Sequence, residues 1–263
     1  MNCVSRLNLL NIFKGTKKEN LLWQSRYLQI TVQVWEREAL RELRFGNHIM
    51  QSVFSKARPN HLVLPYTRFM LLGLLLCPEP KSVLHIGLGG GSIARWLYRE
   101  IPDINQVVIE VNPGVIEAAY RFFDFPKDSR LQVYNKDASK VIPILTEEFD
   151  LVFLDAFSDY GAPEELTRIE FLMDLRDCIN SSGWVVGNLW TMTGDFIEQC
   201  GKWRSTFSKV LTARANKKGN VILFGSKNSQ TFCKEQLEQK TKIMQGRHQL
   251  EFQKMIRELK TIL

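Results

Sequence analysis

One segment of the chain combines an apolar run with a cluster of glycines, a pattern that suits the binding of a small polar ligand. The segment VLHIGLGGGS contains Gly87, Gly89, Gly90 and Gly91. Glycines at the point where a strand turns into a helix leave out the β-carbons that would block a ligand, and the following helix offers free backbone N–H groups. We therefore expect a ligand to bind against this turn.

An acidic residue stands at the end of the next apolar run. In VVIEVNP, Glu110 follows Gly91 by 19 residues. A carboxylate in this place of a strand, turn, helix and strand unit accepts two hydrogen bonds from a ribose diol. GLGGGS lacks the third glycine of the dinucleotide fingerprint, and no lysine follows as in a P-loop. The pattern favours S-adenosylmethionine or a relative over NAD or ATP; the alternative is a structural turn with Glu110 as a surface carboxylate.

Two later segments end apolar runs in the same way. In NKDASKV, Asp137 and Ala138 offer a carboxylate to an adenine amine and a backbone N–H to a ring nitrogen, and FDLVFLDAFSD ends its run at Asp155. The carboxyl ends of parallel strands meet at one edge of a sheet, so these residues should converge with Gly89 and Glu110. On its own, Asp137 is equally well interpreted as a helix cap.

Short apolar runs alternate with helical segments through the middle of the chain, which is typical of a parallel sheet with helices on both faces. The expected strands are 83–87, 106–111, 131–135, 150–154, 184–189, 209–214 and 220–225. The expected helices are 92–100, 113–122, 138–145, 167–179 and 194–206.

The segments on either side of this region have other patterns. After a lead-in of about 20 residues, apolar Leu28, Ile30, Val32 and Val34 alternate with other residues, which predicts a strand in a small antiparallel sheet. In the tail, apolar residues at spacings of three and four predict one amphipathic helix, docked on its own domain or on a neighbouring subunit. These tail residues are Phe252, Met255, Ile256, Leu259, Ile262 and Leu263. The expected domains are 1–60, 61–227 and 228–263.

Composition narrows the classes of function. The chain has 263 residues, 44% of them hydrophobic, and a net charge of +7. Its five cysteines form no CxxC pair and no histidine lies at metal spacing, so we expect no disulfide framework, no metal and a cytoplasmic setting. The longest apolar runs are shorter than the roughly 20 residues of a membrane helix, and no base-stacking motif accompanies the scattered positive charges. We expect neither a membrane nor a nucleic acid as partner.

Together these motifs resemble the spermidine synthase family of polyamine aminopropyltransferases, and in particular its bacterial spermidine-synthase-like branch. The segments that carry the resemblance lie within residues 27–225: PEPKSVLHIGLGGGS, VVIEVNP, NKDAS and DAFSDYGAPEELTRIEFL. It implies an α/β fold, with a small N-terminal antiparallel β-domain followed by a Rossmann-like class I S-adenosylmethionine-dependent transferase domain. It also implies a homodimer, and transfer of an aminopropyl group from decarboxylated S-adenosylmethionine to a polyamine.

The resemblance implies a role for each site residue. It gives Glu110 the ribose hydroxyls, Asp137 and Ala138 the adenine, and the glycine turn the nucleoside. Asp155 falls where the family has its catalytic aspartate. The resemblance also implies that Gln51 lies near the nucleoside and that Tyr66 contacts the small amine substrate, and Asp159 is the expected anchor of a diamine.

Three departures from the family pattern keep other functions open. Ser92 stands where the family has an aspartate for the amine end of the donor, Ser158 replaces the second acid after the catalytic one, and Arg68 replaces a glutamate. An S-adenosylmethionine-dependent methyltransferase and a non-catalytic nucleoside-binding homologue are therefore the alternatives.

Overall fold

The computed structural model describes residues 18–46, 49–77, 79–157, 161–191, 194–216, 219–229, 234–248 and 250–261. Its first part is an antiparallel sheet of four strands in sequential order. These strands are β1 (Asn20–Tyr27), β2 (Ile30–Arg37), β3 (Leu40–Phe45) and β4 (Ile49–Ser55). The sheet confirms the predicted N-terminal antiparallel unit.

The alternation in β2 buries one face of this sheet. Val32 and Val34 are fully buried and lie opposite Phe45 and Leu43 of β3. Leu28 differs from the prediction, because it lies in the turn between β1 and β2 with a φ of 53° and is 77% exposed. The strand therefore begins after Leu28, and β1 precedes it in a segment that the alternation did not reveal.

The rest of the chain forms a mixed sheet of eight strands with helices on both faces, which confirms the predicted Rossmann-like architecture. Its strands are β5 (Ser82–Ile86), β6 (Asn105–Glu110), β7 (Leu131–Asn135), β8 (Phe149–Leu154), β9 (Ile179–Trp190), β10 (Lys209–Arg214), β11 (Asn220–Ser226) and β12 (Lys260–Thr261). The order across the sheet is β12-β10-β11-β9-β8-β5-β6-β7. Strands β5 to β9 pair in parallel, and β10, β11 and β12 extend the sheet antiparallel.

The helices connect these strands and lead into the tail. They are α1 (Pro65–Met70), α2 (Gly73–Leu76), α3 (Ser92–Glu100), α4 (Pro113–Phe122), α5 (Ala138–Val141), α6 (Ile169–Asp177), α7 (Phe196–Thr206), α8 (Lys234–His248) and α9 (Phe252–Met255). Short 3₁₀ turns cover Ile142–Ile144, Glu164–Thr167 and Ile256–Glu258. The predicted helix 138–145 changes to a 3₁₀ turn at Ile142, since Pro143 has no N–H for an α-helical hydrogen bond.

Within the described part of the chain, three hydrophobic cores hold the layers together. One lies between the eight-stranded sheet and the layer of α1, α2 and α3, and a second lies on the opposite face under α6 and α7. The third joins the N-terminal sheet to α3 and α4, where Val32 and Phe54 share a cluster with Ala119 and Phe123. The N-terminal sheet therefore packs beside the glycine turn that begins α3.

The prediction of a single amphipathic helix in the tail is wrong. Helix α8 ends at His248, and the chain then folds back through α9 into β12, which pairs with Leu211 and Thr212 of β10. Phe252 is fully buried in the same core as Leu211, which a straight continuation of α8 would not permit. Ile262 and Leu263 lie outside the described residues. The division into domains at about residues 60 and 227 stays a prediction.

Within the described residues, no helix is both long and apolar enough to cross a membrane.

Candidate functional site

A cavity of about 520 Å³ lies at the carboxyl ends of β5, β6 and β8. The predicted site residues that line it are Gln51, Tyr66, Gly87, Gly89, Gly91, Ser92, Glu110, Asp137, Ala138 and Asp155. Gly90 belongs to the same turn, and its backbone N–H points to Ser52. Asp159 lies outside the described residues, as do Ser158 and Tyr160. The structure thus brings the described candidates together, while their individual roles stay predictions.

Two glycines of the turn are required by the backbone itself. Gly87 has a φ of +90°, and a β-carbon there would lie 2.4 Å from the carbonyl oxygen of Asp155. Gly91 directly precedes α3 as its N-cap with a φ of +67°, and a β-carbon there would lie 2.2 Å from the ring of Phe125. L-residues with a side chain rarely adopt such angles, so these positions let strand, turn and helix approach one another closely.

Glu110 is the last residue of β6, and backbone donors hold its carboxylate in place. Oε2 accepts from the N–H of Leu88 at 2.9 Å, and Oε1 accepts from the N–H of Asn112 at 2.8 Å. Glu110 is only 8% exposed. Burial raises the pKa of this carboxyl, and the hydrogen bonds from Asn112 and Leu88 oppose the rise. The interpretation as a surface carboxylate is wrong, and each oxygen keeps lone-pair capacity for a ligand.

Asp137 caps α5 with one of its two oxygens. Its Oδ1 accepts from the backbone N–H of Ser139 at 3.0 Å and from the Ser139 hydroxyl at 2.7 Å. Its Oδ2 lies 3.6 Å from the exposed ammonium of Lys140. The cap interpretation is therefore correct for Oδ1, and Oδ2 is the oxygen available to an adenine amine.

Asp155 follows β8 and is hydrogen-bonded from two sides. The hydroxyl of Tyr66 donates to its carboxylate, and Asn188 Nδ2 donates to Oδ1 at 2.9 Å. Burial raises the pKa of Asp155, and these two hydrogen bonds oppose the rise. Burial, with the nearby Asp155, raises the pKa of Tyr66 well above its usual value, so the phenol stays protonated. The site therefore holds a desolvated carboxylate with fixed orientation.

The N-terminal sheet contributes the side of the cavity next to the glycine turn. Gln51 and Ser52 of β4 line it together with Ile30 and Phe45. The Ser52 hydroxyl is buried and accepts from the N–H of Gly90 at 2.8 Å. This hydrogen bond ties the N-terminal sheet directly to the glycine turn.

Sequence reasoning missed Ser52 and Asn188. A polar residue between apolar neighbours, as in WVVGNLW, was the available signal for Asn188. His85 also lines the cavity, but its Nε2 bonds with Gln106 Oε1 at 2.8 Å and its ring stacks on Phe153. Burial lowers the pKa of His85 to about 4, so it is a neutral packed residue.

The departures from the family pattern fall in different places. Ser92 lines the cavity at the first turn of α3. Arg68 follows Tyr66 on α1 and is not among the residues that line the cavity. Among the described residues, Arg68, which replaces a family carboxylate, is therefore not part of the cavity lining.

Comparisons with known proteins identify the family of the chain. The family model described as spermine/spermidine synthase domain matches residues 66–214. The polyamine aminopropyltransferase of Chromobacterium violaceum is 29% identical over 87% of this chain and 89% of its own length. A probable spermidine synthase from Corynebacterium glutamicum superposes with a TM-score of 0.73 at 18% identity, covering 85% of this chain and 87% of its own.

A methyltransferase shares the fold as well. Human methyltransferase-like protein 13, solved with S-adenosylhomocysteine, superposes with a TM-score of 0.66 at 20% identity over 70% of this chain and 92% of its own. At this identity the likeness concerns the fold. The family model, in contrast, covers every described strand and helix from the first turn of α1 to the end of β10. The chain belongs to the spermine/spermidine synthase family.

Proposed function

We propose that the protein transfers an aminopropyl group from decarboxylated S-adenosylmethionine to a polyamine. Family membership and the aminopropyltransferase relative support this proposal over a methyltransferase or a non-catalytic homologue. The observation that carries it is the buried carboxylate of Asp155, held by Tyr66 and Asn188 in the same cavity as Glu110. A protein that only bound a nucleoside would have no use for a desolvated base beside it.

The donor nucleoside is assigned to the half of the cavity nearest the glycine turn. Glu110 accepts from the ribose hydroxyls, and Asp137 Oδ2 and the N–H of Ala138 meet the adenine edge. Gly87, Gly89 and Gly91 let the nucleoside approach the backbone. Gln51 contributes from the N-terminal sheet. This arrangement leaves the sulfonium end of the donor on the side of Asp155 and Tyr66.

The reaction needs a free amine and a reactive methylene carbon. A polyamine nitrogen has a pKa of about 10 in water, so it arrives protonated. The carboxylate of Asp155 attracts the ammonium and accepts its proton. The freed nitrogen lone pair attacks the methylene carbon beside the sulfonium, the carbon–sulfur bond breaks, and its electron pair neutralises the sulfur as methylthioadenosine. The product amine carries the aminopropyl group, and holding both reactants together supplies much of the acceleration.

The form of the donor depends on the region around Ser92. An aspartate there would favour an amine and repel a carboxylate, whereas the serine hydroxyl is uncharged. We propose the decarboxylated donor because the family relative is an aminopropyltransferase. Calorimetry with decarboxylated S-adenosylmethionine, S-adenosylmethionine and methylthioadenosine tests the choice. Tighter binding of the decarboxylated form supports it, and equal or tighter binding of the carboxylated form overturns it.

Activity should depend on pH through Asp155. Its raised pKa predicts that kcat falls as the pH drops through that pKa, since only the ionised carboxylate accepts a proton. The measurement is kcat at saturating donor from about pH 3 to pH 9. Because the pKa of Glu110 is also raised, the pH dependence of donor binding is measured separately by calorimetry. An acid limb at or below about pH 3.9, the ordinary aspartate value, would contradict the assignment.

Replacing Ser52 should loosen the glycine turn. In Ser52→Ala the buried N–H of Gly90 loses its acceptor, which costs about 1–3 kcal/mol. We expect the free energy of unfolding to decrease by that order and methylthioadenosine to bind more weakly. Chemical denaturation and calorimetry measure the two effects. Ser205→Ala is the matched control, because this exposed hydroxyl bonds only to the local carbonyl of Lys202 among the described residues; equal effects of both variants would refute the role.

We also propose that the protein works in the cytoplasm and as a homodimer. The first rests on the free thiols of Cys77, Cys178 and Cys200, which suit a reducing compartment. The second rests on the resemblance to a family in which dimers are common. Light scattering of the purified protein measures the mass: twice the 30.5 kDa of one chain supports the dimer, and the mass of one chain contradicts it.

A further inference from the structure

A chain of side-chain amides leads from Asp155 across the sheet to β11. Asn188 Nδ2 donates to Asp155 Oδ1 at 2.9 Å, and Asn188 Oδ1 accepts from Asn220 Nδ2 at 2.9 Å. Asn188 is 7% exposed. An amide that donates at one end and accepts at the other has its orientation fixed by both partners. Two partners therefore act on the Asn188 amide, the carboxylate of Asp155 at its N–H end and the amide of Asn220 at its oxygen end.

The strand register explains why these residues meet. In the antiparallel pair of β9 and β11, Asn188 lies opposite Ile222 and Asn220 lies opposite Trp190, so the two asparagines are diagonal neighbours on one face. Ile222 and Phe224 share that face and belong to the core under α1. Helix α1 packs on β9 and β11 and carries Tyr66, the other hydrogen-bond partner of Asp155. Asn220 is not among the described residues that line the cavity around Asp155, and its side chain donates to Asn188.

We propose that Asn220 is a positioning residue, which holds the Asn188 amide so that its N–H group, and not its oxygen, faces the Asp155 carboxylate. If the Asn188 oxygen faced Asp155 instead, two acceptors would oppose each other while the carboxylate is ionised. The same oxygen would accept a hydrogen bond from Asp155 once its carboxyl is protonated. The orientation set by Asn220 thus favours the ionised state that removes a proton from the acceptor amine. This role rests on the proposed function of Asp155 as the base.

Other titratable residues lie near Asp155 and must be considered beside Asn188. The titratable residues that line the same cavity are Tyr66, His85, Glu110, Lys136, Asp137, Lys140 and Glu165. Of these, Tyr66 is the hydrogen-bond partner of Asp155 within the described part of the chain. His85 is neutral and already bonded to Gln106. Among the described residues, Asn188 and Tyr66 are therefore the two side chains that donate hydrogen bonds to the Asp155 carboxylate.

The test replaces the Asn220 amide, which donates a hydrogen bond to Asn188, with a carboxylate, which can only accept one. In Asn220→Asp the side chain accepts only, so Asn188 should turn its N–H group toward residue 220 and its oxygen toward Asp155. We expect the titration midpoint of Asp155 to rise by about one to two pH units, the size of a lost hydrogen bond to a charged group. ¹³C NMR of the aspartate side-chain carboxyl carbons measures the midpoint in the full chain, and Asp155→Asn assigns the signal. This reading needs no turnover, so it stays informative if aminopropyl transfer itself is not found.

A double-mutant cycle separates orientation from the added charge. Asn220→Asp is compared in the wild-type and Asn188→Leu backgrounds, because the new carboxylate acts through space in both and through the amide only in the first. A larger shift in the wild-type background supports the proposal, and equal shifts overturn it. If Asn188→Leu does not fold, Asn220→Leu decides: a raised midpoint and a lower kcat with unchanged donor KM support the role, whereas an unchanged midpoint overturns it. Restoration by Asn220→Gln provides the conservative check.

Discussion

Asp155→Asn should lower kcat by a factor of about 10² to 10⁴, the usual contribution of a general base. An amide has the shape of the carboxylate but accepts no proton from the substrate ammonium. Binding of methylthioadenosine should change little, since Glu110, Asp137 and the glycine turn are unaltered. Steady-state kinetics and calorimetry measure the two quantities. Asp103→Asn is the control, because its carboxylate is 83% exposed and Asp103 precedes the amino end of β6, whereas the cavity lies at the carboxyl ends of the strands.

The same variant should not destabilise the fold. The pKa of Asp155 is raised in the folded state, so its favourable contribution is complete only below the unfolded-state pKa and is lost as the pH rises through the folded-state value. Near neutral pH the buried charge opposes folding. We therefore expect an equal or higher free energy of unfolding for Asp155→Asn at pH 7.

A kcat close to that of the Asp103→Asn control would contradict the role of Asp155 as base.

Glu110→Ala should weaken donor binding by a factor of about 10² to 10⁴. Two hydrogen bonds from ribose hydroxyls to a charged acceptor are lost, each contributing about 1.5–3 kcal/mol. The N–H groups of Leu88 and Asn112 also lose their acceptor, which loosens the glycine turn. Calorimetry with methylthioadenosine and decarboxylated S-adenosylmethionine measures the effect, and both ligands should lose the same factor because both carry the ribose.

The control for this variant is Glu117→Ala. Glu117 is exposed on α4 and pairs with Arg121 one turn away. Its replacement should leave the dissociation constants unchanged. If Glu110→Ala binds methylthioadenosine within about threefold of the wild type, the ribose assignment is refuted, since a threefold change is far below one hydrogen bond to a charge.

The sequence located the strand-end residues because each follows a local pattern. Glu110 and Asp155 stand directly after apolar runs, and parallel strands bring such ends to one edge without any knowledge of side-chain contacts. Ser52 and Asn220 lack such a signal, and the polar position of Asn188 among apolar neighbours does not reveal its partners. Their roles depend on hydrogen bonds to distant residues: Ser52 to Gly90, Asn188 to Asp155, and Asn220 to Asn188. These partners are 38, 33 and 32 positions apart in the sequence, and no local periodicity encodes a pairing at that distance.

In the tail, a clear local pattern led to a wrong prediction. The spacing of Phe252, Met255 and Leu259 suits a helix, but the same spacing suits a chain that folds back onto a core. Two long-range contacts make the tail fold back. Phe252 and Met255 pack in the same core as Leu211, and Lys260–Thr261 pairs with the edge of β10. Both partners lie about 40 to 50 residues earlier, so the pattern within the tail could not choose between the two structures.

The central claim is tested most directly by following the fate of the aminopropyl group. The purified protein is incubated with decarboxylated S-adenosylmethionine and, in separate reactions, with putrescine, cadaverine or spermidine. Mass spectrometry then measures the molecular masses of the products. The account predicts that at least one amine gains one aminopropyl group while an equal amount of methylthioadenosine forms, and that Asp155→Asn suppresses both. A protein that leaves all three amines unchanged but converts S-adenosylmethionine to S-adenosylhomocysteine with a methylated acceptor would contradict it.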